Sequence, residues 1–205
     1  MSRDENPPFS RGETFYNGGT IDTADLGGVN LEGKEWVFED YNPATDTTRS
    51  DKYVRCRVVR NTSGINLLPK RVAAFEVDAT NPDEWGRRVA GYTTVTNAEG
   101  FPIDEYLPAA GVVTNDLFYI VVEGPAVVLT ALSDFTVAPV GGGTWLNAIT
   151  AATSQATTAG RLTNQVITGA TSILAEAVMN RVGRALSAAT TANTNADVLI
   201  EVGKW

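Results

Sequence analysis

Asp104 and Glu105, adjacent in sequence and followed by Asp116 and Glu123, are the residues whose chemistry draws attention first. A pair of carboxyls flanking a scissile bond is the machinery of glycoside hydrolysis. Neighbours in sequence diverge on a strand or loop, however, and nothing around them indicates a sugar cleft. A hydrolase is therefore not the expected reading. Asp78, Asn81, Asp83 and Glu84 offer oxygen ligands of the kind calcium takes, but without EF-hand spacing, so a solvated turn is expected. Gly141-Gly142-Gly143-Thr144 lacks the second glycine and the lysine of a phosphate-binding loop and reads as a turn before Trp145. Asn61-Thr62-Ser63 matches a glycosylation acceptor, which stays idle without export.

The chain of 205 residues contains no histidine. That removes the commonest general base, the Ser-His and Cys-His nucleophile pairs, and the usual zinc and non-haem iron ligands together. The expectation is a non-enzymatic protein with no catalytic residue, no metal and no cofactor. The single cysteine, Cys56, cannot form an intramolecular disulfide. Arg55 and Arg57 beside it would lower its pKa and make it reactive if they shared its surroundings. In the alternating run Tyr53 to Arg60 it falls instead on the apolar face, opposite the arginines, and reads as a small core residue.

The most interesting charge feature is basic. Residues 52 to 71 hold Lys52, Arg55, Arg57, Arg60, Lys70 and Arg71 and no acidic residue, with Arg87 and Arg88 following. Arg55, Arg57, Arg60, Lys70 and Arg71 are candidate electrostatic contacts, either to an acidic partner surface or to the chain's own acidic segment Glu32, Glu35, Glu39 and Asp40. The net charge of −8 argues against nucleic acid as a partner, because phosphate binding needs a basic footprint.

The elements that must position these residues read as β. Residues 1 to 50 carry Pro7, Pro8 and Pro43, the pairs Gly18-Gly19 and Gly27-Gly28, and the aromatics Phe9, Phe15, Tyr16, Trp36, Phe38 and Tyr41. This segment lacks the apolar density for a core of its own, yet it is too aromatic for a solvated tail. It reads as an extended N-terminal arm whose six rings dock on a neighbouring subunit, the alternative being the chain's own core. Residues 51–205 form the β-rich domain. Strands are expected over 53–60, 72–77 and 88–96, and a hairpin is expected from Leu117–Val122 through Glu123-Gly124-Pro125 into Ala126–Leu132. The continuous apolar, β-branched content of that hairpin implies burial on both faces.

Residues 136–172 carry almost no charge but too many apolar residues for a linker, so short ordered strands or loops are expected there. The stretch from Ile173 to Val182 fits a helical stripe or strands, with strands favoured, and Asp197–Val202 reads as a closing strand. The longest apolar stretch is interrupted by Glu123, Gly124 and Pro125, so no membrane partner is expected. The first residues show no apolar signal core, which predicts a protein that stays where it is made or leaves by lysis.

The run Val182-Gly183-Arg184-Ala185-Leu186-Ser187-Ala188-Ala189, a polar turn, and Asp197-Val198-Leu199-Ile200-Glu201-Val202 resembles the closing hairpin of small capsid-cement proteins of tailed bacteriophages. Val59 to Val72, with Asn61-Thr62-Ser63-Gly64 and Leu67-Leu68-Pro69-Lys70, resembles their opening strand and turn. The segment Asp116 to Leu132 is similar to a hairpin of such phage structural proteins. The resemblance spans residues 53–202 loosely, leaves the arm outside, and makes the stretches near 97–115 and 136–172 look like insertions. It rests on turn and backbone chemistry.

What the resemblance implies is an all-β, compact barrel or sandwich that decorates the outer surface of an icosahedral head. Its partners would be the major capsid protein and itself, commonly as a homotrimer. It would be assembled in the host cytoplasm and found on the virion. A tail, neck or fibre-associated role is the nearest alternative. A glycan-binding β-module using Trp85, Trp145 or Trp205 is the alternative from another class.

Overall fold

The computed structural model describes residues 7–15, 31–42, 45–76, 86–93, 100–129, 145–148, 162–163, 181–186 and 197–203. Among these the fold is all-β, as the composition and alternation imply. Ten strands occur: β1 (Glu35–Asn42), β2 (Thr47–Asn61), β3 (Val72–Phe75), β4 (Arg88–Tyr92), β5 (Gly100–Pro102), β6 (Leu117–Leu129), β7 (Trp145–Ala148), β8 (Leu162–Thr163), β9 (Arg181–Ala185) and β10 (Asp197–Val202). They form one sheet in the order β5-β3-β4-β2-β6-β10-β9-β7-β8, with β1 also paired to β2. The β2–β4 contact is parallel and the other named pairings are antiparallel. The sheet is mixed and does not close into a barrel, which corrects the closed-barrel form of the expectation. An isolated bridge between Ile103 and Ile120 laps the β5 end against β6.

Strands β2 and β6 are the spine, and their sequences explain why. Along β6, Leu117, Tyr119 and Val121 face one apolar cluster with Val54, Cys56 and Val58 of β2 and Val198, Ile200 and Val202 of β10. The intervening Phe118, Ile120 and Val122 face a second cluster with Val59, Leu67, Ala73, Val89, Ile103 and Val112. An apolar residue at every position is what a strand between two cores requires, since alternate side chains leave by opposite faces.

The expected hairpin at Glu123-Gly124-Pro125 is not formed: β6 runs through it as one strand of 13 residues. Gly124 takes φ +97°, and a Cβ there would strike the Tyr53 carbonyl. Beside it the β2–β6 register shifts between Arg55 and Cys56, and from Gly124 onward β6 pairs with β10 instead. The glycine therefore marks a bulge that passes β6 from one partner to the next.

The proposed boundary at residue 50 falls inside β2, and β1 is an integral strand of the sheet. The segment 97–115 is likewise not a detached insertion where it is described. It supplies β5, and Val112 bridges Leu67. In the stretch 136–172, β7 and β8 are the parts described, and both pair in the sheet.

Candidate functional site

The arm aromatics fall mainly on this chain's own core. Phe9 is buried, and Phe15, Trp36 and Phe38 pack against the same cluster. All but Phe15 meet the ring of Tyr119, with centroids at 4.5 Å for Phe9, 5.2 Å for Phe38 and 6.4 Å for Trp36, while Phe15 stacks on Phe9 at 5.7 Å. The Tyr119 hydroxyl donates to the Phe9 carbonyl at 3.0 Å. This corrects the expectation that these four rings dock on a neighbour: a large ring is driven to the nearest apolar surface, and β6 provides it in cis. Tyr41 stays exposed, with its hydroxyl donating to Asp46. Tyr16 lies outside the described residues.

The N-terminal segment is fixed by charge as well as by rings. Arg11 donates from Nη2 to Asp104 Oδ1 at 3.1 Å, and the Gly12 N–H donates to Asp104 Oδ2 at 2.7 Å. Asp104 is in turn seated on β6 through its own N–H, which donates to the Tyr119 carbonyl at 3.1 Å. The next residue, Glu105, faces Arg49 at 2.9 Å and accepts from the Val127 N–H at 2.9 Å. Arg49 also holds Asp40 at 2.6 Å, and the Ser50 hydroxyl donates to the same carboxylate at 2.7 Å. Asp40 and Asp104 are fully buried and the Arg11 side chain is only 7% exposed, so these groups form a largely buried clamp joining the N-terminal segment, β1, β2 and β6.

With both oxygens of Asp104 taken up by Arg11 and Gly12, the geometry is that of a clamp. An acid and a base presented to a sugar would need free, solvent-accessible oxygens. Burial is the largest influence on the Arg11 guanidinium and works against its charge, but Asp104 together with Cys56, Glu105 and Tyr106 outweighs it, and the net shift of its pKa is upward.

Burial also pushes the Glu105 carboxyl above its ordinary value of 4.5, with Arg49 and Arg11 pulling the other way. The folded chain thus holds this proton more tightly than the unfolded chain does. Between the two values it binds more protons, and the contribution of Glu105 to stability falls as pH rises through that window. In Glu105→Gln this component is expected to vanish. Urea midpoints compared between about pH 4.5 and pH 7 should show a smaller fall in the variant; equal pH dependence would remove Glu105 as its source.

The same burial decides the chemistry of Cys56. Its side chain is fully buried, and its thiol is pushed up to about 12, against a smaller lowering by Arg11. Arg55 and Arg57 point to the opposite face and engage Glu35 and Glu123, so they do not activate it. Labelling of the native protein by a disulfide reagent at about pH 8 is expected to be slower than in the unfolded chain by more than ~100-fold. Equal rates would contradict the burial.

The basic residues find their partners within the chain. Arg57 pairs with Glu35 at 2.5 Å, Arg55 with Glu123, Arg60 with Glu32 and Lys70 with Asp197. Arg71 is buried, with its guanidinium over the Tyr92 ring at 5.3 Å. Glu32 and Glu35, from the segment read as acidic, are thus the counter-ions of β2, so charge reversal at Arg55 and Arg57 would perturb the sheet itself.

Sequence reasoning missed Arg11, Arg49 and Tyr119 as organising residues. Asp78, Asn81, Asp83, Glu84, the Gly141–Thr144 run and the side chains of Trp85, Trp145 and Trp205 lie outside the described residues. No cluster of three or more His, Cys, Asp or Glu side chains suited to a metal occurs among the described residues. No helix there is long and apolar enough to cross a membrane. The fold and the clamp define an all-β protein with its described N-terminal segments locked onto the sheet. No protein-family model, no curated protein and no solved structure matches the chain.

Proposed function

We propose that this protein is a non-enzymatic structural component of a tailed-phage virion, a decoration protein that binds the outer surface of the icosahedral capsid and braces the head. The observation that carries this reading is the outer face of β1 and β2. Val37 and Tyr53 are 63% and 66% exposed there, the most exposed large hydrophobics among the described residues. The register pairs Val37 with Arg55 and Glu39 with Tyr53, which places all four on one face as diagonal neighbours. An exposed aromatic beside an exposed β-branched residue, rimmed by the Glu35–Arg57 and Arg55–Glu123 pairs, is the composition of an interface core with a polar rim.

The resemblance of Val182–Val202 to the closing hairpin of capsid-cement proteins names the partner this face would meet. The partners are then the major capsid protein and further copies of this chain, in a homotrimer whose three faces engage together. Modest contacts per subunit become strong attachment through effective concentration.

The test is capsid occupancy with Val37→Glu and Tyr53→Glu combined. Both side chains are exposed, so folding should change by less than ~1 kcal/mol for each, the larger share coming from the new carboxylate at position 53 opposite Glu39. Cosedimentation with heads should weaken by roughly tenfold or more, the equivalent of ~1.4 kcal/mol. Full occupancy by a correctly folded double variant would overturn this face as the docking surface.

A further inference from the structure

A cleft of about 390 Å³ opens beside the clamp, lined by Ser10, Arg11, Phe38, Glu39, Tyr41 and Tyr106 among others. Its size falls in the range of small-molecule sites, which combine apolar or aromatic walls with a few placed polar groups. Three of the six side chains named are aromatic. Tyr41 is tethered through its hydroxyl to Asp46, and the Tyr106 ring is held against the Arg11 guanidinium at 4.8 Å, so two of the walls are fixed in place. The polar groups are of both kinds. Ser10 can donate and Glu39 accepts.

From this composition we infer that the cleft is a binding site for a neutral saccharide. A sugar ring has apolar C–H faces that lie against aromatic rings and a rim of hydroxyls that both donate and accept. A purely apolar ligand would strip water from Glu39 and Ser10 and leave them unpaired. An anionic ligand would meet Glu39 directly, while the charge of Arg11 is already matched by Asp104. A hydroxyl-bearing ring satisfies both constraints. The inference does not depend on the capsid reading. It uses residues of the N-terminal segment, β1 and the 104–106 turn rather than Val37 and Tyr53, and shares only Glu39 with the proposed capsid face.

The experiment is saturation-transfer NMR on the full chain with the methyl glycosides of glucose, galactose, mannose, rhamnose and N-acetylglucosamine. Methyl glucuronide serves as the anionic counterpart. At about 10 mM ligand, a site with a Kd of ~1 mM is nearly saturated. Transfer to the C–H protons of at least one neutral glycoside is expected, falling at least tenfold in Tyr41→Ala and in Glu39→Gln. Both substitutions are at exposed positions and leave the clamp intact. Silence from every neutral glycoside overturns the inference. So does transfer that persists undiminished in both variants, which puts any sugar site elsewhere, and so does transfer to the glucuronide alone, which makes the cleft an anion site.

Discussion

Asp104→Ala is expected to destabilise the protein by ~3–5 kcal/mol, the cost of leaving a buried charge without its partner. The substitution leaves the Arg11 side chain, 7% exposed, with only the more distant Glu105 at 4.0 Å, and also takes away the acceptor of the Gly12 N–H. Against a typical total of ~5–15 kcal/mol, this is a large share. Removing both partners is a different matter. A buried ion pair offsets its own desolvation only partly, so Arg11→Met combined with Asp104→Leu should recover a substantial part of the loss.

A local readout accompanies the global one. Because Arg11 anchors residues 7–15 onto β6, trypsin cleavage after Arg11 should accelerate at least tenfold in the alanine variant. Urea unfolding followed by circular dichroism checks the first effect and timed proteolysis the second. A loss below ~1 kcal/mol, no greater than a surface pair contributes, would mean the clamp does not hold the segment.

The second large effect belongs to Tyr119. Tyr119→Ala should cost ~3–5 kcal/mol, as large-to-small changes of buried aromatics do. Its ring is fully buried and touches Phe9, Trp36 and Phe38 at once, so the cavity would open where the N-terminal segment, β1 and β6 meet. Tyr119→Phe separates packing from hydrogen bonding: it keeps the ring and deletes only the bond to the Phe9 carbonyl, at ~1 kcal/mol. If alanine and phenylalanine cost the same, the ring cluster contributes little and the hydrogen bond carries the effect.

How legible the molecule is in its sequence varies with the range of the interaction. Closing strand β10 is plain in Asp197–Val202, because Val198, Ile200 and Val202 alternate with polar or half-buried positions and all three are buried. The doubly buried character of β6 is equally plain from its two apolar runs, Leu117–Val122 and Ala126–Leu129. Its continuity is not, since Gly124-Pro125 carries the chemistry of a turn. Here the glycine supplies a bulge, and the proline sits opposite Glu201 in the β10 pairing. Cys56 follows from alternation alone. Charge complementarity leaves an acidic partner surface and the chain's own acidic segment both open for Arg57 and Arg60, and the fold pairs them with Glu35 and Glu32.

The clamp lies beyond such reasoning. Arg11 and Asp104 are 93 residues apart, and no periodicity links a proline- and glycine-rich segment to a loop residue. The arm aromatics show the same limit. Their number announces a buried surface, but only the fold shows that this surface is Tyr119 of the same chain.

The proposed role as a head-stabilising decoration protein is tested most directly by cryo-electron microscopy of purified virions from the source. The account predicts density for this chain in symmetric clusters on the outer head, with the face bearing Val37 and Tyr53 against the major capsid protein. Density confined to the neck or tail, or none in the particle, would contradict it.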